Sequence, residues 1–297
     1  MILITGATGL AGRHIVPALL EAGCRVRCLA RDTEKALSLL GEKPELYPGD
    51  VTNPASLPGA CRDIETVVHL VAVIREKGAV TFDRVNAQGV RNVVDAAERS
   101  GCRRFIHLSA LGAREDPAYR YAYSKWLGEE AVRRSGLAWT IFRPSVLYGS
   151  GFGFFDRMAQ SLRTAPPPFA PVPAARTRFQ PLAAADLARC VTLALKDPGS
   201  VGHIYEIGGP EQLTYGQKVG GSNLSRRAIV ALQPQGLYGF IVCGRITLKA
   251  KSVPKVCQTY SNCANEDQRP GIKPGPFLCP FCRYFSSSGT PAQAYRP

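Results

Sequence analysis

Over roughly the first 145 residues, short apolar runs alternate with longer stretches in which apolar positions recur every three or four residues. Met1–Thr5, Arg25–Ala30, Pro44–Gly49, Thr66–Ala72, Arg104–Ala110 and Ala138–Pro144 read as strands. Leu10–Ala22, Thr33–Leu40, Phe82–Ser100 and Tyr119–Ser135 read as amphipathic helices. Strands that are apolar on both sides, rather than alternating, belong to a sheet covered on both faces, and the intervening helices supply the cover. Crossovers of this kind are right-handed almost without exception, which leaves a doubly wound α/β parallel sheet.

From Tyr148 the pattern changes. A loop-to-helix stretch, GSGFGFFDRMAQSL, precedes a proline-rich run, TAPPPFAPVPAA, that suits neither a helix nor a central strand. RTRFQP then reads as a short strand, Ala184–Lys196 as an amphipathic helix, and HIYEIGGP as a closing strand. After about Tyr215 periodicity fades into Gly, Pro, Ser and Cys. The expected organisation is a dinucleotide-binding domain over residues 1–147, a small C-terminal substrate-side lobe over 148–215 interleaved with the sheet, and a poorly ordered tail over 216–297.

Charge changes this picture little. The formal net charge is +14, but residues 219–297 alone hold ten Lys/Arg against two Asp/Glu. The rest has 27 against 21, with basic residues scattered among acids, so a nucleic-acid partner is not expected. No apolar run approaches the length of a membrane span, and the N-terminus lacks a basic region ahead of an apolar one. A cytoplasmic location with reduced cysteines follows as the expectation. Cys279 and Cys282 form one C-x-x-C without a second pair, and the four histidines have no ligand spacing, so no metal is expected.

The chemistry starts at the first strand. Gly6, Thr8, Gly9, Leu10 and Gly12 lie in a G-x-x-G-x-x-G stretch that leaves this strand and opens the first helix. Glycine permits the tight turn and the close approach of backbone to a pyrophosphate, and the helix N-terminus adds free N–H groups. After the second strand comes Arg31, then Asp32. An arginine there suits a ribose 2′-phosphate, which favours NADP, with NAD as the alternative; Arg13 is a candidate second cation, and Asp32 is also placed to cap the next helix. Asp50, at the end of the third strand, is placed either to accept from an adenine amino group or to cap a loop.

Tyr121 and Lys125 stand four apart on a helix, so they share a face; Tyr119 and Tyr123 have no such partner. A neighbouring ammonium stabilises a phenolate, and a tyrosine so tuned can pass the proton that accompanies hydride transfer at a carbonyl. Ser109, ending the fifth strand, is placed to hydrogen-bond the same oxygen.

The glycine loop, Asp50-Val51, Val68–Ala72, Asn86-x-x-Gly89, Ser109 and Tyr121-x-x-x-Lys125 together resemble the short-chain dehydrogenase/reductase superfamily in its extended or atypical branch. TGATGLAGRHIVPALL, RFIHLSALGA, YSKWLGEEAVRRSGLAWTIFRPSVLYG, RTRFQP and YEIGGPEQLTY narrow this. They are similar to the NAD(P)H-binding accessory subunit of respiratory complex I and its bacterial epimerase/dehydratase-like relatives, over roughly residues 1–215. The resemblance implies a Rossmann fold in which Gly6, Gly9 and Gly12 hold the pyrophosphate and Arg31 the adenosine ribose phosphate. Asp50 and Val51 would hold the adenine, and Val71 and Ala72 would line the ribose. Tyr121 would be the acid/base, and Lys125 would hold the nicotinamide ribose while lowering the tyrosine pKa. Pro144, Ser145 and Val146 would touch the nicotinamide. Three functions are then in play: an oxidoreductase acting on a small carbonyl or alcohol, a non-catalytic NADPH-holding structural or assembly protein, and a nucleotide-sugar epimerase or dehydratase. The second implies contact with a membrane-associated respiratory complex at the inner face of the membrane.

Overall fold

The computed structural model describes residues 1–150, 178–210, 212–214 and 247–250. The expected alternation is present. β1 (Ile2–Thr5), β2 (Val26–Ala30), β3 (Glu45–Pro48), β4 (Thr66–His69), β5 (Arg104–Leu108) and β6 (Ala138–Pro144) alternate with α1 (Leu10–Glu21), α2 (Thr33–Leu40), α3 (Leu57–Ala60), α4 (Gly89–Arg99) and α5 (Arg120–Arg133). Short pairs β7 (Leu147–Tyr148), β8 (Arg178–Phe179) and β9 (Leu182–Ala183) precede α6 (Ala184–Lys196), β10 (His203–Gly208), β11 (Leu213–Thr214) and β12 (Thr247–Ala250).

The main sheet runs β12-β10-β6-β5-β4-β1-β2-β3, parallel throughout except for β12, which pairs antiparallel with β10 at the edge. Successive residues of one strand serve opposite cores. Ile4, Val68, Ile106 and Phe142 pack under α1 and α6, whereas Leu3, Val67, Phe105 and Ile141 pack under α3, α4 and α5. This two-sided burial is the reason these strands read as unbroken apolar runs.

Several boundaries moved. The fourth and fifth strands end at His69 and Leu108 instead of Ala72 and Ala110, and a π-helical turn, Asp83–Gln88, opens the helix expected from Phe82. In each strand the apolar run continues past the last ladder bond, because the chain there leaves the sheet at its carboxyl edge while staying against the core. Ala184–Lys196 and His203–Gly208 join the main core and sheet, α6 against α1 and β10 beside β6. The GSGFGFFDRMAQSL stretch beyond Ser150, the TAPPPFAPVPAA stretch, and residues 216–297 apart from β12, lie outside the described residues.

Candidate functional site

Strand order reverses between β1 and β4, which places the loops after these strands side by side at the carboxyl edge. Gly6 has φ +79°, and a side-chain carbon there would stand 3.0 Å from the Val71 backbone nitrogen. The loop therefore closes on the end of β4 only with glycine at this position. A side-chain carbon on Gly12 would stand 2.3 Å from the Ala7 carbonyl oxygen, so α1 can sit on the loop only without one. Gly9 is the N-cap of α1, and no side chain occupies its first-turn N–H groups. The loop is thus a backbone cradle with an uncapped helix end, a shape and polarity that fit a pyrophosphate.

Beyond β2 the Arg31 side chain is exposed and makes no hydrogen bond or ion pair among the described residues. Asp32 turns away from it: its carboxylate accepts the Lys35 N–H at 2.9 Å and caps α2. Arg13 lines a groove between α1 and α6, with its Nε buried. Asp50 Oδ1 accepts from the Thr52 N–H at 2.8 Å and from the Thr52 hydroxyl at 2.9 Å, an Asx turn that fixes the loop after β3. Val51 is buried, and its carbonyl accepts from Asn92 Nδ2 at 2.8 Å. Of the two residues after β4, Val71 is half-buried against Gly6 and Ala72 is exposed.

On α5 the three tyrosines diverge. Tyr119 is exposed under the Arg114 guanidinium, 4.0 Å from its ring centre, and Tyr123 stacks on Trp126. Tyr121 meets the edge of Phe82, and its burial there pushes the phenol pKa upward. That direction is opposite to the lowering expected from Lys125. Burial of the phenol is the cause. Lys125 is fully buried and donates from Nζ to the Leu108 carbonyl at 2.8 Å, at the end of β5. Burial brings the Lys125 pKa down to about 8, with the Glu129 charge pulling the other way.

Ser109 follows Leu108 and is buried; its hydroxyl donates to Glu129 Oε1 at 2.5 Å. Pro144, Ser145 and Val146 leave β6 along the same edge, with the Pro144 carbonyl accepting from Leu111, the Ser145 N–H donating to Ile207, and the Val146 carbonyl accepting from Leu182. The structure thus gathers the glycine loop, Val71, Lys125, Ser109 and the 144–146 segment at the ends of β1, β4, β5 and β6. Arg31 and Asp50 mark the ends of β2 and β3.

Two further groups belong to this arrangement and carry weaker sequence signals. Asn86 Nδ2 donates to the Val73 carbonyl and to the Ser124 hydroxyl while its Oδ1 accepts from the Val73 N–H, tying the loop after β4 to α5. Glu129, one turn beyond Lys125, is fully buried and doubly bonded by Arg143. Its i+8 spacing from Tyr121 was the signal that could have found it.

The family model described as NAD dependent epimerase/dehydratase matches residues 2–208. The chain is similar to a ceramide reductase of Caulobacter vibrioides, 37% identical over 54% of this chain and 52% of the relative. It is also similar to the NADH dehydrogenase [ubiquinone] 1 alpha subcomplex subunit 9 of Dictyostelium discoideum, 28% identical over 71% of this chain and 60% of the relative. It therefore spans about half to three fifths of these two proteins. Among solved structures, a short-chain dehydrogenase/reductase superfamily protein from Agrobacterium tumefaciens with bound NAD superposes with a TM-score of 0.60 at 25% identity, covering 80% of this chain and 83% of that one.

Proposed function

The chain belongs to the NAD dependent epimerase/dehydratase family, and from that premise we propose that it is an NADP-dependent oxidoreductase acting on a carbonyl or alcohol of a small substrate. The observation that carries this reading is the buried Lys125, held at the end of β5 and on the same helical face as the partly exposed Tyr121, at the carboxyl edge that also carries the glycine cradle. A bound nicotinamide dinucleotide supplies the hydride. Gly6, Thr8, Gly9, Leu10 and Gly12 form the cradle for its pyrophosphate, and the start of α1 offers it backbone N–H groups. Arg31 faces the 2′-phosphate, a role for which its unpaired, exposed guanidinium is suited and from which the capping carboxylate of Asp32 is withdrawn. Asp50 and Val51 border the adenine, Val71 and Ala72 the ribose, and Pro144, Ser145 and Val146 the nicotinamide. Lys125 holds the nicotinamide ribose, and Tyr121 passes the proton to or from the substrate oxygen.

A phenol held above its ordinary pKa is a proton donor, so carbonyl reduction suits Tyr121 better than alcohol oxidation. The same raised phenol, and a Ser109 hydroxyl already engaged by Glu129, favour one competing reading: a protein that keeps NADPH as part of its fold and turns little over, in contact with a respiratory assembly as the named Dictyostelium relative is. Neither reading needs a membrane span, and no helix among the described residues is long and apolar enough to form one. A nucleotide-sugar epimerase or dehydratase would use the same pair.

Tyr121→Phe separates the first two readings. NADPH oxidation is followed by absorbance against a panel of ketones, aldehydes and quinones, with NADPH binding measured in parallel by fluorescence. The oxidoreductase is expected to lose about 10²- to 10⁴-fold in turnover while binding NADPH within about twofold of the parent. Turnover that survives the substitution, or never exceeds the background in the parent, sinks the enzyme reading in favour of the cofactor-holding one.

A further inference from the structure

Tyr121, Lys125 and Glu129 follow at four-residue intervals, so one stripe of α5 carries a phenol, an ammonium and a carboxylate in that order. Lys125 and Glu129 have no accessible surface. A carboxylate that deep must be compensated on every oxygen. Arg143 on β6 supplies Nε at 2.7 Å and Nη2 at 2.5 Å, and Ser109 on the loop after β5 supplies its hydroxyl at 2.5 Å. The remaining Arg143 nitrogen, Nη1, lies 3.3 Å from Glu206 on β10. A hydroxyl has one proton, and that of Ser109 is directed at Glu129, which leaves its oxygen only acceptor capacity.

We propose that Glu129 is a positioning residue for the site: anchored by Arg143, its carboxylate sets a negative charge one helical turn from the Lys125 ammonium and accepts the Ser109 hydrogen bond, which leaves Tyr121 as the side-chain proton donor to the substrate oxygen among the described residues. This rests on the reading of Tyr121 and Lys125 given above.

The charged and titratable groups facing Lys125 are Tyr121 and Glu129 on α5, His69 on β4 and His107 on β5, with Arg143 of β6 behind Glu129. Burial presses His69 down to about 3 and His107 well below its ordinary value, and it raises Tyr121, so neither histidine nor the phenol changes charge between pH 7 and pH 9. Lys125, near 8, does. Its cationic form is present below that value and is lost as pH rises through it.

The test is NADPH affinity of the full chain by fluorescence titration from pH 6.5 to 9.5. The parent is expected to weaken across a limb near pH 8. In Glu129→Gln the limb is expected to move down by about one pH unit; in Glu129→Asp it moves by about half as much. A general loss of packing would lower affinity at every pH without moving the limb, and that result overturns the proposal. If Glu129→Gln does not fold, an unmoved limb in Glu129→Asp overturns it equally. A parent that binds no NADPH at any pH refutes the proposed function instead.

Discussion

His69 and His107 stand side by side on β4 and β5, their rings stacked 5.5 Å apart and fully buried between the two layers of helices. His69 Nδ1 meets the Thr5 hydroxyl at 2.9 Å; His69 Nε2 and both nitrogens of His107 have no partner among the described residues. Burial is the main cause that lowers both pKa values, His69 to about 3, with Lys125 adding to it. A histidine whose folded pKa is depressed stabilises fully above the ordinary value of 6.5, and that stability is lost as pH falls below it. Each should cost about 1.4 kcal/mol per pH unit, so urea unfolding at pH 5.5 should show about 3 kcal/mol less stability than at pH 7 from the pair. His107→Leu should halve that acid slope; an unchanged slope would mean that the ring is not held neutral. In the sequence both histidines fall inside apolar strands, and the structure buries both in the sheet. Glu129 and Arg143 were harder to see. Beyond the helical spacing of Glu129 from Tyr121, a glutamate on a helix and an arginine before a proline carry little mark of burial until the fold sets them against each other.

Among elements, Arg104 opens β5 and holds four pieces of chain together. Its Nη1 donates to the Ala138 carbonyl on β6, and Nη2 donates to the hydroxyls of Thr140 on β6 and Ser200 before β10, reaching also the Ala194 carbonyl on α6. Thr140 and Ser200 are fully buried, and although their hydroxyls also donate to the Ser200 and Ala194 carbonyls, removing the guanidinium leaves acceptor lone pairs unfilled where water cannot reach. Arg104→Met should cost about 2–4 kcal/mol by chemical denaturation, with the denaturant dependence unchanged. A loss under about 1 kcal/mol would show that Thr140 and Ser200 satisfy each other without it. The existence and order of the elements were legible because two-sided apolar strands and amphipathic helices have different periods. Strand ends were less legible at the edge that builds the site. Val71 and Ala72 continue the apolar run in composition, yet they lie beyond the last residue of β4, where the Val71 backbone closes on Gly6.

For the whole molecule, the reversal of strand order between β1 and β4 is what turns scattered residues into one site. β1, β2 and β3 fan out one way with Arg31 and Asp50 at their ends; β4, β5, β6 and β10 fan out the other way toward Lys125, Ser109 and the 144–146 segment. A dinucleotide lying across this edge would join both halves of the sheet, so its binding should raise the stability of the entire fold and not of one loop. At about one hundred times its Kd, NADPH should contribute about 2.7 kcal/mol, which for a chain of this size is about 5–10 °C in Tm. At equal concentration NADH should give a smaller rise, because it lacks the 2′-phosphate that Arg31, without an ion pair among the described residues, would pair with. Arg31→Ala should bring the two nucleotides to the same shift by lowering that of NADPH and leaving that of NADH in place. An NADH shift equal to or above that of NADPH in the parent protein would assign the site to NAD, and Arg31 would then be a solvated residue between β2 and the Asp32 cap.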